Sequence, residues 1–209
     1  LNFLRNKKFM KNFTKILIIC FYIFGISSSL ADDKKIGIKT VYKLLQEKKF
    51  QESIKNLQIL SEENNLNAQL LYSKILFSGE ITPQNFEKSY FWGFSALLGG
   101  LKKSSMILDE LDNYLEDKHI EMIKIELKEF LEKRAFAKDK RAIVQLAKLF
   151  ELFTEPPDMV NAYTWYSIAV AQGIKTAKSK RDEVLENINE KDLLDAQALS
   201  IKLFKRIND

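Results

Sequence analysis

The chain has few of the residues on which metal chemistry, nucleophilic catalysis and covalent cross-linking usually rest. Its 209 residues include one cysteine, one histidine, three prolines and seven glycines. One cysteine excludes a disulfide framework. His119 and Cys20, standing alone and far apart, cannot complete a zinc site. No phosphate-cradling loop or dinucleotide fingerprint occurs, and no serine, histidine and acid fall into a nucleophilic arrangement. The low glycine and proline counts also exclude a collagen-like chain, and 46% hydrophobic residues exclude a disordered one.

Most of the chain also lacks an excess of either charge. The formal net charge of +5, from 33 basic and 28 acidic residues, first suggests an acidic partner such as nucleic acid. Residues 1–31, however, contain Arg5, Lys7, Lys8, Lys11 and Lys15 and no acidic residue. The whole excess therefore sits there, and 32–209 is neutral. Within that stretch basic and acidic residues interleave, as in ELKEFLEKR (126–134). The densest basic spot, KDKR (138–141), is read as the approach to a helix. Nucleic acid is not an expected partner.

The basic segment reads as an export signal. From Met10, the expected initiator, Lys11 and Lys15 precede an unbroken apolar run from Ile16 to Ile26. Ser29-Leu30-Ala31 then sets small residues before Asp32-Asp33. Positive charge, a short apolar stretch and small side chains are the order a secretory signal peptide needs. The run falls short of the roughly 20 apolar residues of a membrane span. Cys20 follows Ile18-Ile19 rather than the small residue of a lipid-anchoring signal. Cleavage is expected after Ala31, with no membrane insertion afterwards. The expected address is the periplasm, with secretion beyond it as the alternative.

Beyond residue 32 the sequence reads as helices, with no alternating strand-like stretch of any length. Val41, Leu44 and Leu45, then Phe50, Ile54, Leu57 and Leu60, recur at helical steps on either side of a turn at Lys48-Lys49. Ile120, Ile123, Leu127, Phe130 and Leu131 form a stripe backed by charge. Leu193, Ala196 and Leu203 with Leu194, Ala198 and Ile201 form a last helix, with Asn189 to Asp192 as its cap region. The fold class predicted is all-α.

An internal repeat refines it. YFWGFSALLGGLKKS (90–104) aligns with YTWYSIAVAQGIKTA (163–177) at a shift of 73, so that Pro83/Pro156, Tyr90/Tyr163, Trp92/Trp165, Ala96/Ala169, Gly100/Gly173 and Lys102/Lys175 are identical pairs. The helices before them match at a shift of 74, through Ala68/Ala142 and Lys74/Lys148. The one-residue difference is assigned to the proline-containing loop. A duplication of helix–turn–helix content predicts a short α-solenoid of stacked antiparallel helix pairs.

The second copy, AIVQLAKLFE (142–151), Asp158 and AYTWYSIAVAQGIKTA (162–177), resembles a Sel-one-like repeat, a relative of the tetratricopeptide repeat. Ala142, Leu146, Ala147, Phe150 and Glu151 fill the first half of that family's pattern. Ala162, Trp165, Tyr166, Ala169, Ala171, Gln172, Gly173 and Ala177 fill the second, with Val170 in place of an alanine. The first copy (68–105) is more divergent, with Gly99 where glutamine is expected, and the second loop lacks the usual glycines. With the signal peptide (1–31) set aside, the chain divides into an N-terminal helix pair (32–67), a first repeat (68–105), inserted helices (106–141), a second repeat (142–178) and C-terminal capping helices (179–209), the resemblance covering about 38–208. The cysteine-rich secreted branch of the family is excluded, and with it any activity attributed to that branch.

The motif is one of packing. Alanines allow close helix approach, Trp165 and Tyr166 supply buried area, and Gly173 suits a helix C-terminus. His119 is expected on a solvated turn, and Glu62-Glu63 and Asp109-Glu110 at the surface. No cofactor, metal or enzymatic activity is expected. The function expected is that of a periplasmic scaffold for a protein or peptide partner. Gln69 and Lys74, with their counterparts Gln145 and Lys148, are the candidate contacts on the first helices of the two repeats. The alternatives are an envelope enzyme or enzyme subunit acting on peptidoglycan or polysaccharide, or a secreted effector engaging host proteins.

Overall fold

A computed structural model describes residues 37–209. The signal-peptide reading, Met10 and Cys20 lie outside the described residues. Within them the chain forms ten α-helices and one short 3-10 turn, with no strand. They are α1 (Ile38–Gln46), α2 (Phe50–Glu62), α3 (Leu66–Ser78), α4 (Phe86–Leu98), α5 (Ser105–Leu111), α6 (Asp117–Phe136), α7 (Lys140–Leu152), α8 (Met159–Ala171), α9 (Ala177–Leu185) and α10 (Glu190–Asn208). No described helix is long and apolar enough to cross a membrane.

Helix starts are set by side chains that accept otherwise unpaired backbone N–H groups. Asn65 caps α3, Asn85 caps α4, Asp139 caps α7, Asp158 caps α8 and Asn189 caps α10. The turns between helices use the left-handed region sparingly. Lys48, Asn64 and Lys138 adopt it between α1 and α2, α2 and α3, and α6 and α7 respectively.

Neighbouring helices pack in pairs, and the packing is duplicated. In the α3–α4 hairpin the Ser73 hydroxyl donates to the Ser89 carbonyl at 2.7 Å, and Ser89 returns a bond to the Ser73 carbonyl at 2.8 Å. In the α7–α8 hairpin the Tyr166 hydroxyl donates to Glu151 Oε2 at 2.5 Å. That bond gives a physical role to two residues of the repeat pattern. Trp92 and Trp165 are buried in equivalent places, at 7% and 2% exposure.

The turn after each second helix is the same turn. Gly100 N–H bonds Leu97 O, Leu101 N–H bonds Ala96 O, and Ser104 N–H bonds Leu101 O. Gly173 to Val170, Ile174 to Ala169, and Ala177 to Ile174 reproduce them at a shift of 73. Gly100 and Gly173 both hold a left-handed backbone, at φ +100° and +84°, where a side chain would strain. The loop inside each hairpin closes with one equivalent bond, from Asn85 N–H to Leu76 O and from Asp158 N–H to Phe150 O. Gly79 makes the first bend, at φ +69°. In the second loop Thr154 replaces it, accepting from Asp158 N–H and donating to Phe150 O.

The correspondence continues past the repeat pattern. A short helix and then a long one follow α4, and a short and a long one follow α8: 7 and 20 residues against 9 and 19. The inward positions of the long helices also match at a shift of 73, with Ile123 opposite Ala196 and Leu127 opposite Ser200. The segments read from sequence as an insertion and as a C-terminal cap thus occupy the same place in order and spacing, each after one hairpin.

Candidate binding groove

The two copies differ in how the long helix meets the second helix of its hairpin. In the C-terminal copy the facing residues are small. Thr164 Oγ1 donates to the Ala196 carbonyl at 3.2 Å, and Ser200 Oγ approaches the Thr164 carbonyl at 3.4 Å, so α10 lies directly on α8. In the N-terminal copy the same positions are Phe91, Ile123 and Leu127. The backbones of α4 and α6 approach each other less closely than those of α8 and α10, as larger facing side chains require, and an open groove runs between them.

Its wider half has a volume of about 560 Å³ and an aromatic floor. Phe91 and Trp92 meet edge to face at 4.8 Å between centroids, and Phe130 from α6 packs on both at 5.6 and 5.7 Å. Such edge-to-face sets fix ring orientation as well as burying area. The Lys88–Glu126 ion pair spans the groove at 3.2 Å. Beyond it lies a second hollow of about 440 Å³, bordered by Asn85, Glu87, His119, Met122, Ile125 and Glu129. Met122 and Ile125 are 68% and 56% exposed there, so apolar surface faces solvent along this side of α6. His119, expected on a solvated turn, is instead half-buried in the first turn of α6 and borders that hollow.

The four residues read as candidate contacts are placed very differently from one another. Gln69 and Gln145 are fully buried, so neither presents its amide to a partner. Both belong to a polar network around Asn64, itself buried. Asn64 Nδ2 donates to Gln145 Oε1 at 2.7 Å and to Asp139 Oδ2 at 3.1 Å, while its Oδ1 accepts from Gln69 Nε2 at 3.2 Å. Gln69 Nε2 also donates to the Ser61 carbonyl, and Gln145 Nε2 to the Ser95 carbonyl at 2.8 Å. The network ties the α2–α3 turn to the α6–α7 turn and to α4. Polar residues on a helix read as solvent-facing are interior here because the turn beside them supplies their partners.

Lys148 is half-buried, and its Nζ donates to the Leu98 carbonyl at 3.0 Å, satisfying the end of α4. Burial lowers its pKa below the ordinary lysine value. Its counterpart Lys74 is exposed on α3. The matched lysines therefore do different jobs. The KDKR cluster is likewise committed within the fold. Lys138 makes the turn, Asp139 caps α7, Lys140 Nζ donates to the Gln172 carbonyl at 2.7 Å, and Arg141 donates to the Asn64 carbonyl.

Asp139 accepts from Arg134 Nε at 2.7 Å, and the Arg134 guanidinium also donates to the Glu62 carbonyl at the end of α2. Burial by itself raises the Asp139 pKa, but the hydrogen bonds from Arg134 and Asn64 and the Arg134 charge outweigh it, so the carboxyl lies below its ordinary value. A carboxyl depressed on folding stabilises above its unfolded pKa of about 4 and loses that contribution as pH falls through its folded value. Asp139→Asn keeps the cap acceptor but removes the charge and sets an NH2 in place of the oxygen that accepts from Arg134 Nε and Asn64 Nδ2. It is expected to lower the urea unfolding free energy by about 1–2 kcal/mol at pH 7, an advantage of wild type that shrinks below about pH 4. A gap that stays constant from pH 7 to pH 3 would show that the charge contributes nothing.

No family model matches this chain, and no curated protein matches it. Among the described residues no three histidine, cysteine or acidic side chains gather as a metal site. Phe91 and Phe130 are visible in sequence as a repeat position and as part of an apolar stripe, but the matched segments end at residue 104, short of Met122 and Ile125. At the same shift of 73, Phe91, Ile123 and Leu127 fall against Thr164, Ala196 and Ser200. That contrast of large and small residues is the signal that finds them.

Proposed function

We propose that this protein is a non-enzymatic helical-repeat scaffold, built of Sel-one-like pairs stacked as a short solenoid, that binds a protein or peptide partner in the bacterial cell envelope. One observation carries the reading: the N-terminal copy holds open a groove with exposed apolar residues where the C-terminal copy packs shut. Met122 and Ile125 stand in water beside that groove. Exposed apolar area of this kind, rimmed by polar groups, marks interaction surfaces. The segment 1–31 supports export, and its removal would leave a neutral chain that recognises by shape and local charge.

The test is a photo-crosslinking residue placed at Met122 and, separately, at exposed Lys74, in cells producing the full chain. The expected result is a stoichiometric envelope protein captured from position 122 and not from 74, by a chain beginning at Asp32. Retention of the chain in the cytoplasm, or turnover of a glycan by purified protein with no partner captured, would overturn the proposal.

A further inference from the structure

The charges around the groove are unequal once those already paired are set aside. Lys88 is tied to Glu126, and Arg134 to Asp139. The rim then retains Glu62, Glu87 and Glu129 against Lys133 alone, none of the four in an ion pair among the described residues. Two of those three glutamates, Glu87 and Glu129, border the same hollow as exposed Met122 and Ile125. Acidic side chains therefore stand beside apolar surface along one edge, and the aromatic floor lies beyond the Lys88–Glu126 bridge.

From this arrangement we infer that the α4/α6 groove takes a basic peptide segment of a partner protein, one carrying lysine or arginine beside aliphatic or aromatic side chains. The inference rests on the scaffold reading and names the chemistry of the partner. A cationic side chain over Glu87 and Glu129 gains attraction that an acidic one would lose as repulsion, which sets specificity more than affinity. The apolar neighbours of that cation lie on Met122 and Ile125 and remove them from water. The same rim disfavours phosphate-bearing partners, because nucleic acid and anionic lipid headgroups need basic surface. In the C-terminal copy the equivalents of Glu87 and Glu129 are Val160 and Lys202, so the acidic edge belongs to the open groove alone.

The experiment is selection of random twelve-residue peptides on the purified full chain, followed by titration of the enriched sequences as synthetic peptides. Glu87, Met122, Ile125 and Glu129 are all exposed, so substituting them leaves the core intact. The enriched peptides are expected to be rich in lysine or arginine next to apolar residues. Their affinity is expected to fall about tenfold in the E87K/E129K variant and to weaken as salt is raised. It is also expected to fall in the M122S/I125S variant. Enriched peptides that are neutral or acidic, but still lose binding in M122S/I125S, would overturn the basic-ligand inference and leave the groove as a docking site. Peptides indifferent to both variants, or no enrichment, would overturn the inference even where crosslinking from position 122 finds a folded partner. Self-association of the chain abolished by M122S/I125S would overturn it in favour of a second copy as occupant.

Discussion

Replacing Asn64 by alanine is expected to lower the unfolding free energy by about 3–5 kcal/mol, read from urea denaturation by circular dichroism. Two costs add. The first is conformational: Asn64 sits in the left-handed region at φ 62°, which costs an alanine about 1–2 kcal/mol and asparagine less. The second is the network, in which Gln145 Oε1, Asp139 and Gln69 Nε2 all lose a partner in the interior. A buried polar group left unsatisfied costs about 1–3 kcal/mol. Asn64→Gly separates the two, since glycine accepts the backbone angle and loses the same bonds. The glycine variant should be about 1–2 kcal/mol more stable than the alanine one. If both variants unfold like wild type, the network contributes nothing to stability.

That turn also shows where sequence reasoning reached and where it stopped. The periodicity of Phe50 to Leu60, the cap region from Asn189 and the paired glycines at 100 and 173 are local signals, and the helices and turns stand where those signals put them. Helical periods and cap residues act over one or two turns of chain, so a single sequence displays them directly. Gln69 and Gln145 are a different case. Each is polar and by local pattern outward, but its burial depends on Asn64, 5 and 81 residues away in sequence. No local pattern records that a buried turn will supply hydrogen bonds, so a polar residue on a mostly apolar helix looks the same whether it faces water or a partner.

The groove was hidden for a related reason. The stripe Ile120, Ile123, Leu127, Phe130 and Leu131 correctly marks the inner face of α6, and Ile123, Leu127 and Leu131 are buried there. What the stripe does not carry is the distance at which that face meets its neighbour. Interaxial distance depends on the side chains contributed by both helices. It becomes readable only when two copies of one arrangement are compared and their facing residues differ in size. The duplication thus supplies both the fold and the contrast within it: the copy with Thr164, Ala196 and Ser200 closes, and the copy with Phe91, Ile123 and Leu127 does not.

The two tryptophans turn that contrast into a stability difference. Trp165 is 2% exposed, packs near Phe136 with centroids 6.2 Å apart, and lies in the copy where the helices close on each other. Trp165→Ala is expected to cost about 4–5 kcal/mol, the upper end for truncating a buried aromatic, because rigid neighbours on every side leave the cavity unfilled. Trp92 occupies the equivalent position but borders the open groove, and Phe130 lies over it at 5.7 Å on a helix already held away from α4. Loss of Trp92 lets the Phe130 side chain swing into the space, which also opens to water through the groove, so Trp92→Ala is expected to cost less, about 3 kcal/mol. Peptide binding should show the opposite order, with Trp92→Ala weakening it and Trp165→Ala leaving it unchanged in the folded protein. Urea unfolding of both variants, paired with titration of one enriched peptide, measures the two orders together. Equal destabilisation would mean that the groove is as tightly filled as the closed copy, and loss of peptide binding in the Trp165 variant alone would place the docking surface in the wrong half of the molecule.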